Sequence, residues 1–587
     1  MRLRSFSFAL ALILSACDGG SDSDISPPKS VSAVSAFPAF PVAAPPVSND
    51  ELPDAAETSD RPYDAYDSVD YAQVSQTPSS RRHTATINGA TIAYTATAGH
   101  LVAYDLTKMK IRPNSAPPEG AAEAAIFYTA YTSDDARDKD LRPVTFVFNG
   151  GPGASSAALD FGALGPKDAG NGSYQDNPAS LLDRTDLVFV DPVGTGYSAA
   201  ILPHMNRDFW GVDSDAKVLR DFIISYINAN NRQSSPKYIY GVSYGGMRAP
   251  IMARLLLEEG SRNYAADPGG KPANILSGLI LNSPYLNGNS DCDAHAVSCA
   301  GNFPTYLLIA RHHKKAERLV ISLATAEQEM FEFSDRFTTL YWRVFDTVYD
   351  DEARPGYDRT RWDAYLKTAA AKSFIDTLHA MTGIGKSYEP GAGPADNPWV
   401  RAPNMSAQRF RVLFAPEKGV LSINDGRKFI EPSRHDPAFV AGDIYYDAIK
   451  PYQEAMTGYR TKAHYLDQNA RGPVIWDYKP DSRLALGADR TATCLVDLAY
   501  ALRLNARLKV LVQHGYFDLN TPYHRTRQDL ADADLATLVS LSLYPAGHAL
   551  VAMPAEAFGR SMVELRGFYD DRSAGVVAAS RPAGSVN

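Results

Sequence analysis

Cysteine is scarce, with four in 587 residues. That excludes a fold stapled by disulfides, so an apolar core must hold the chain, and 45% hydrophobic residues can supply one. Long apolar runs are missing as well. None reaches the roughly 18 residues of a membrane-crossing helix, so no permanent transmembrane helix is expected. Basic residues do not dominate. The net charge is −9 and no basic stripe stands out, which argues against a nucleic-acid partner. No internal repeat is visible. The 41 glycines and 39 prolines fall partly in an N-terminal tail.

That tail has three parts. Arg2 and Arg4 precede the apolar run Phe6 to Leu14, and small residues follow, which describes a secretory signal over residues 1–16. Leu14-Ser15-Ala16-Cys17 resembles a bacterial lipobox, in which the cysteine becomes the lipidated first residue; the plainer alternative is a signal with an incidental cysteine. The expectation is an exported protein, lipid-anchored through Cys17 and facing the periplasm, with the choice of membrane left open. From residue 17 to about 80 the chain is rich in Pro, Ser, Ala and Asp. It cannot bury enough apolar surface to offset ordering, and reads as a flexible tether. Export permits a disulfide, and the most local pairing is Cys292 with Cys299 in one polar loop, leaving Cys494 as a buried thiol at a helix start.

From Arg82 the pattern changes. Thr84–Ile87 and Thr91–Tyr94 flank Asn88-Gly89, a hairpin signal. Leu101–Tyr104 and Ala124–Tyr131 extend this to an antiparallel meander. Val144–Phe148, Asp186–Val190, Tyr238–Val242 and Ile275–Leu281 are short continuous apolar runs, as expected of strands covered on both faces. Helical stretches lie between them, so the sheet should be mostly parallel. The alternation stops after residue 281, where Phe303 to about Thr382 reads mainly as helix. It resumes with Leu508–Gln513 and Val539–Tyr544. The expected fold is therefore α/β: a core in two pieces, residues 81–281 and 481–587, with residues 282–480 inserted as a largely helical cap.

One stretch organises the rest. Tyr238–Val242 runs into Gly241-Val242-Ser243-Tyr244-Gly245 and then an apolar helical run. Strand, sharp turn and helix lift a serine hydroxyl clear of a sheet and set the next amide at a helix N-terminus. A chain this long yields roughly 0.2 Gly-x-Ser-x-Gly matches by chance, so the setting matters more than the pattern. Serine needs a base, and the base needs a carboxylate to orient it. Asp518 and His548 each follow an apolar strand, and Ser243…Asp518…His548 is the chain order of α/β-hydrolases. His514 also follows a strand but reads as structural.

With these motifs the sequence resembles the serine carboxypeptidases, the S10 peptidases, within the α/β-hydrolase superfamily. Phe148-Asn149-Gly150-Gly151-Pro152-Gly153 and Asp191-Pro192-Val193-Gly194-Thr195-Gly196-Tyr197-Ser198 resemble two of that family's signatures, and the likeness runs from about Thr84 to Met553. The resemblance implies Ser243 as nucleophile, His548 as base and Asp518 as its orienter. It implies the Gly151 and Tyr244 amides as oxyanion hole, and Asn149 and Gly150 as holders of the substrate's terminal carboxylate. No cofactor or metal is implied. Two positions depart from the family. The acid before the nucleophile is Val242 here, and its acidic partner is Ala163. In the family those acids, protonated, bind the terminal carboxylate. The expected function is removal of C-terminal residues from peptides through an acyl-enzyme. An esterase or acyltransferase on the same triad is the alternative, and an envelope binding protein with a dead triad is a third.

Overall fold

The computed structural model describes residues 64–108, 121–135, 141–168, 174–291, 300–316, 364, 367–384, 406–430, 444–470, 472, 475–479, 492–550 and 553–570. The signal segment, Cys17, Cys292 and Cys299 lie outside these residues.

Nine principal strands and the two-residue Ala199–Ala200 form one ten-stranded sheet. In chain order the strands are β1 Ser79–Ile87, β2 Ala90–Tyr104, β3 Ala122–Ser133, β4 Val144–Phe148, β5 Asp186–Val190, β6 Lys237–Val242, β7 Gly278–Asn282, β8 Lys509–Gly515 and β9 Ser540–Tyr544. Across the sheet they run β1-β2-β3-β5-β4-β6-β7-β8-β9. The first three pair antiparallel, as does β3 with β5, and every pairing from β5 to β9 is parallel. This is the α/β-hydrolase arrangement: an antiparallel meander leading into a parallel sheet, with the Ser243 turn after a central strand.

Asn88 and Gly89 both have positive φ, 49° and 80°, as the two-residue turn between β1 and β2 requires. Thr91–Tyr94 and Leu101–Tyr104, which read as separate strands, are one fifteen-residue strand. Gly99 lies inside it, where an added Cβ would sit 3.0 Å from Pro78. The strand stays continuous through Gly99, which pairs with Tyr128 of β3.

Side chains alternate across the central strands. Phe146 and Phe148 of β4, Leu279 and Leu281 of β7, and Val510 and Val512 of β8 enter one core cluster. It is closed by helices α1 Val212–Asn230, α2 Gly245–Glu259 and, near the end of the chain, α7 Leu495–Leu504. Val147, Ile280 and Leu511 point to the opposite cluster. The described part of the inserted region contributes α3 Phe303–His312, α4 Ala369–Thr382, α5 Ala407–Leu413 and α6 Ile449–Thr457. Residues 317–363, also expected to be mainly helical, lie outside the described residues. The last two helices are α8 Tyr523–Asp532 and α9 Ala555–Asp570.

Two placements differ from a simple tether and cap. Residues 64–78 lie on the folded body, with Ala65 and Val69 buried against it. Helix α6 belongs to the second core cluster. Its Tyr452 meets Phe161 edge to face at 4.2 Å and, with Met456, packs among Tyr94, Tyr131 and Phe189. Half of a helix that is apolar in sequence must find a sheet face, and the face left open by α1 and α2 is the one α6 and α9 cover. Cys494, as expected, is a buried free thiol capping α7.

Candidate active site

The turn after β6 is shaped by crowding. A Cβ on Gly241 would lie 2.2 Å from the Gly245 carbonyl oxygen, and one on Gly245 would lie 2.9 Å from that of Phe148. Neither glycine needs a positive φ; both are there because backbone passes too close for a side chain. Ser243 itself is held at φ +58°, a conformation that costs a non-glycine residue energy and must be over-determined by its surroundings. Three bonds do this. The Ser243 N–H donates to the Asn282 carbonyl at 3.0 Å, and its carbonyl accepts from Gly246 N–H at 2.8 Å and Tyr285 N–H at 3.0 Å. The hydroxyl-bearing residue is thereby fixed at the carboxyl edge of the sheet, half-buried, with α2 starting behind it.

Asp518 and His548 arrive from the loops after β8 and β9. His548 Nδ1 lies 2.8 Å from Asp518 Oδ2. The Asp518 side chain is wholly buried, while that of His548 keeps 13% exposure. Burial alone would raise the Asp518 carboxyl, but the adjacent His548 and the surrounding hydrogen bonds hold it below the ordinary carboxylate range. Its other oxygen accepts the backbone N–H groups of Asn520 at 2.8 Å and Thr521 at 3.0 Å. His514, by contrast, is buried and pushed down to about 3 by that burial. Its Nε2 lies 2.9 Å from Thr526 Oγ1, which fits the structural role read from the sequence.

Thr521 is a member the sequence reading missed. Its hydroxyl lies 2.8 Å from Asp518 Oδ2, 3.2 Å from His548 Nδ1 and 2.9 Å from the Ser283 carbonyl. Ser283 belongs to the turn that grips Ser243. One hydroxyl thus ties the carboxylate, the imidazole and the nucleophile's support. The signal was a threonine three residues after a candidate aspartate, where a side chain can close back on the turn.

The glycine loop after β4 completes the site. A Cβ on Gly150 would lie 2.6 Å from the Tyr244 nitrogen and 2.8 Å from Ser243 Cβ. The loop therefore rests directly on the nucleophile turn. Among the described residues neither the Gly151 nor the Tyr244 amide, the two expected oxyanion donors, has an acceptor. Asn149 is differently used. Its Oδ1 accepts from Gly150 N–H at 2.9 Å and its Nδ2 donates to the Ser155 carbonyl at 2.8 Å. The side chain expected to hold a substrate carboxylate braces its own loop, and the Gly150 amide is already engaged. What remains is one Nδ2 hydrogen.

A strap from the inserted region reaches this site. The Asn424 carbonyl accepts from His548 N–H at 2.6 Å, the Ile423 carbonyl accepts from Leu519 N–H at 3.1 Å, and Gly426 N–H donates to the Phe517 carbonyl at 2.9 Å. The loops that carry Asp518 and His548 are thus both sewn to residues 423–426.

Residues 118–322 match the family model described as serine carboxypeptidase. That stretch of the chain is similar to that family. The matched stretch holds the Asn149–Gly153 loop, Asp191–Ser198 and Ser243, and stops before Asp518 and His548, which the fold brings back. The pheromone-processing carboxypeptidase KEX1 of Saccharomyces cerevisiae is 23% identical over 243 residues, 38% of this chain and 32% of that protein. The protein of that name from Phaeosphaeria nodorum is 31% identical over 169 residues, 28% of this chain and 24% of that one. Serine carboxypeptidase-like 36 of Arabidopsis thaliana is 28% identical over 172 residues, 28% of this chain and 33% of that protein. The aligned stretch spans about a third or less of each of these relatives' length. The crystal structure of a prohormone-processing KEX1 from Saccharomyces cerevisiae overlays with a TM-score of 0.48 at 15% identity, covering 81% of this chain and 90% of that one.

The two departures from the family lie on the same side of the sheet. Ala163 belongs to one apolar cluster, and Val242 packs against that same cluster. The positions implied to carry a pair of acids carry a pair of apolar side chains.

Proposed function

We propose that this protein is a serine hydrolase of carboxypeptidase type, acting on the last peptide bond of a peptide. The observation that carries it is the bonded Asp518–His548 pair, tied through the Thr521 hydroxyl to the Ser283 carbonyl near a serine held at φ +58°. In this reading Ser243 Oγ attacks the carbonyl carbon and its proton passes to His548 Nε2. Asp518 fixes the tautomer and stabilises the imidazolium. The Gly151 and Tyr244 amides receive the oxyanion. The C–N bond then breaks as His548 returns the proton to the leaving amine, and water, activated by the same histidine, hydrolyses the acyl-enzyme. The test is labelling by a fluorophosphonate together with hydrolysis of a peptide with a free C-terminus, in wild type and Ser243→Ala. Absence of both in the wild type overturns the reading.

A second reading has its own support. Val242 and Ala163 offer no protonated acid to a terminal carboxylate, and Asn149 is largely spent on its loop. An esterase or acyltransferase on the same triad needs neither. A small acyl ester and a C-terminally blocked peptide, turned over faster than the free peptide, favour this reading. The exported, lipid-anchored location rests on Leu14-Ser15-Ala16-Cys17. Cys17→Ser should abolish lipidation and release the protein from membranes; an unlipidated, soluble wild type refutes it.

A further inference from the structure

The largest fully buried side chain among the described residues is an arginine, Arg248. It stands on the first turn of α2, five residues after Ser243, and has no part in the reaction scheme above. A guanidinium loses its hydration on burial and is retained only where several bonds replace the lost water. Its Nε donates to Asp215 Oδ2 of α1 at 2.5 Å. Its Nη1 donates to the Asn149 carbonyl at 2.6 Å. Its Cζ lies 5.4 Å from the ring centroid of Tyr244, and the Tyr244 hydroxyl accepts from Trp476 Nε1 at 2.8 Å. Nη2 has no partner among the described residues.

These contacts fall on both arms of the candidate oxyanion hole. One arm is the peptide run Asn149-Gly150-Gly151. It carries no side chains beyond Asn149, and Gly151 sits at φ +102°, so little in the chain itself restrains it. In a planar trans peptide the carbonyl and the following N–H point oppositely. Fixing the Asn149 carbonyl therefore fixes the Gly150 N–H on its far side, where Asn149 Oδ1 receives it at 2.9 Å. The Gly151 amide comes one residue later on this run, where Gly150 rests on the turn of Ser243 with no room for a Cβ. The other arm is the Tyr244 amide, whose own ring lies under the guanidinium.

We infer that Arg248, anchored by Asp215, is a positioning residue that sets the spacing of the two oxyanion donors. This rests on the hydrolase reading. It acts through backbone and touches no reacting atom, so its loss should weaken transition-state binding and leave ground-state binding nearly intact.

The experiment removes the ion pair as a unit, because a lone buried charge would unfold the site for unrelated reasons. Asp215→Leu with Arg248→Met is compared with wild type on a small acyl ester. Three quantities are measured: kcat and KM, the inhibition constant of a boronic acid that adds to the serine as a tetrahedral anion, and the thermal midpoint. The expected result is kcat down about 10²-fold, in line with loss of an oxyanion donor. KM should stay within about twofold, and boronate affinity should fall in parallel with kcat. Arg248→Lys serves if the double variant does not fold. It keeps a charge against Asp215 but lacks the planar fork that reaches Asn149 as well, so a fall of about tenfold in both kcat and boronate affinity is expected. Unchanged kcat in a folded variant overturns the inference, and so does a fall in kcat with boronate affinity retained. A wild type that neither hydrolyses ester nor takes a fluorophosphonate label defeats the hydrolase reading instead.

Discussion

Replacing Asp518 by asparagine changes one atom, and the surroundings of that atom determine the outcome. Asp518 Oδ1 accepts two backbone N–H groups, from Asn520 and Thr521. Both are donors that cannot turn round. An asparagine must therefore present its carbonyl oxygen to them, which places its NH2 where Oδ2 now lies, 2.8 Å from His548 Nδ1. The amide donates there, so Nδ1 must be the acceptor and the imidazole proton moves to Nε2. That tautomer cannot take the Ser243 proton. The cost of a wrong tautomer in a triad is about 10⁴ in kcat, or about 5 kcal/mol of transition-state stabilisation. Folding should survive, since the two turn bonds remain. The assay is kcat/KM on a small ester between pH 6 and 9, with nitrogen NMR of the imidazole to report the tautomer. Retention of more than a tenth of wild-type activity, or an unchanged Nδ1–H resonance, refutes the orientation argument.

Gly150→Ala should abolish activity and lower stability by about 1–3 kcal/mol, because its Cβ would lie 2.6 Å from the Tyr244 nitrogen and 2.7 Å from the Val242 carbonyl; an active alanine variant would mean that the loop lies elsewhere in solution. Burial pushes the Asp191 carboxyl up to about 7. The native state then holds a proton that the unfolded chain gives up near pH 4, so this group's contribution is full below pH 4 and is lost as pH rises to 7. Asp191→Asn should flatten that fall in denaturant midpoints, and an unchanged slope from pH 4 to 7 contradicts it. Val242→Glu should raise the ratio of acid to neutral activity on a free peptide without doing so for a small ester. If a wild-type peptidase optimum lay near pH 4.5 and the ester optimum near neutrality, some other acid would be binding the carboxylate.

What the sequence determined by itself is local. A strand is recognisable from five apolar residues, a hairpin from Asn88-Gly89, and a nucleophile turn from glycines that leave no room for a Cβ. The order Ser243, Asp518, His548 was readable because Ser243 directly follows its strand and the other two lie in the loops just after theirs. Tertiary structure decided what depends on strands far apart in sequence becoming neighbours. β8 joins the sheet beside β7 across more than two hundred residues, and only then does the Thr521 hydroxyl meet Ser283. That the Asn149 side chain bonds back to the Ser155 carbonyl and the Gly150 amide shows only once its loop is folded. Arg248 sat in an apolar run with nothing to mark its partner, because Asp215 lies on another helix and the Asn149 carbonyl on another loop. Helix α6 read as cap, and burial against β1 and β2 makes it core. Such roles are set by which backbone donors and acceptors are shut away from water together, and that is a property of the packed sheet, not of any single stretch of chain.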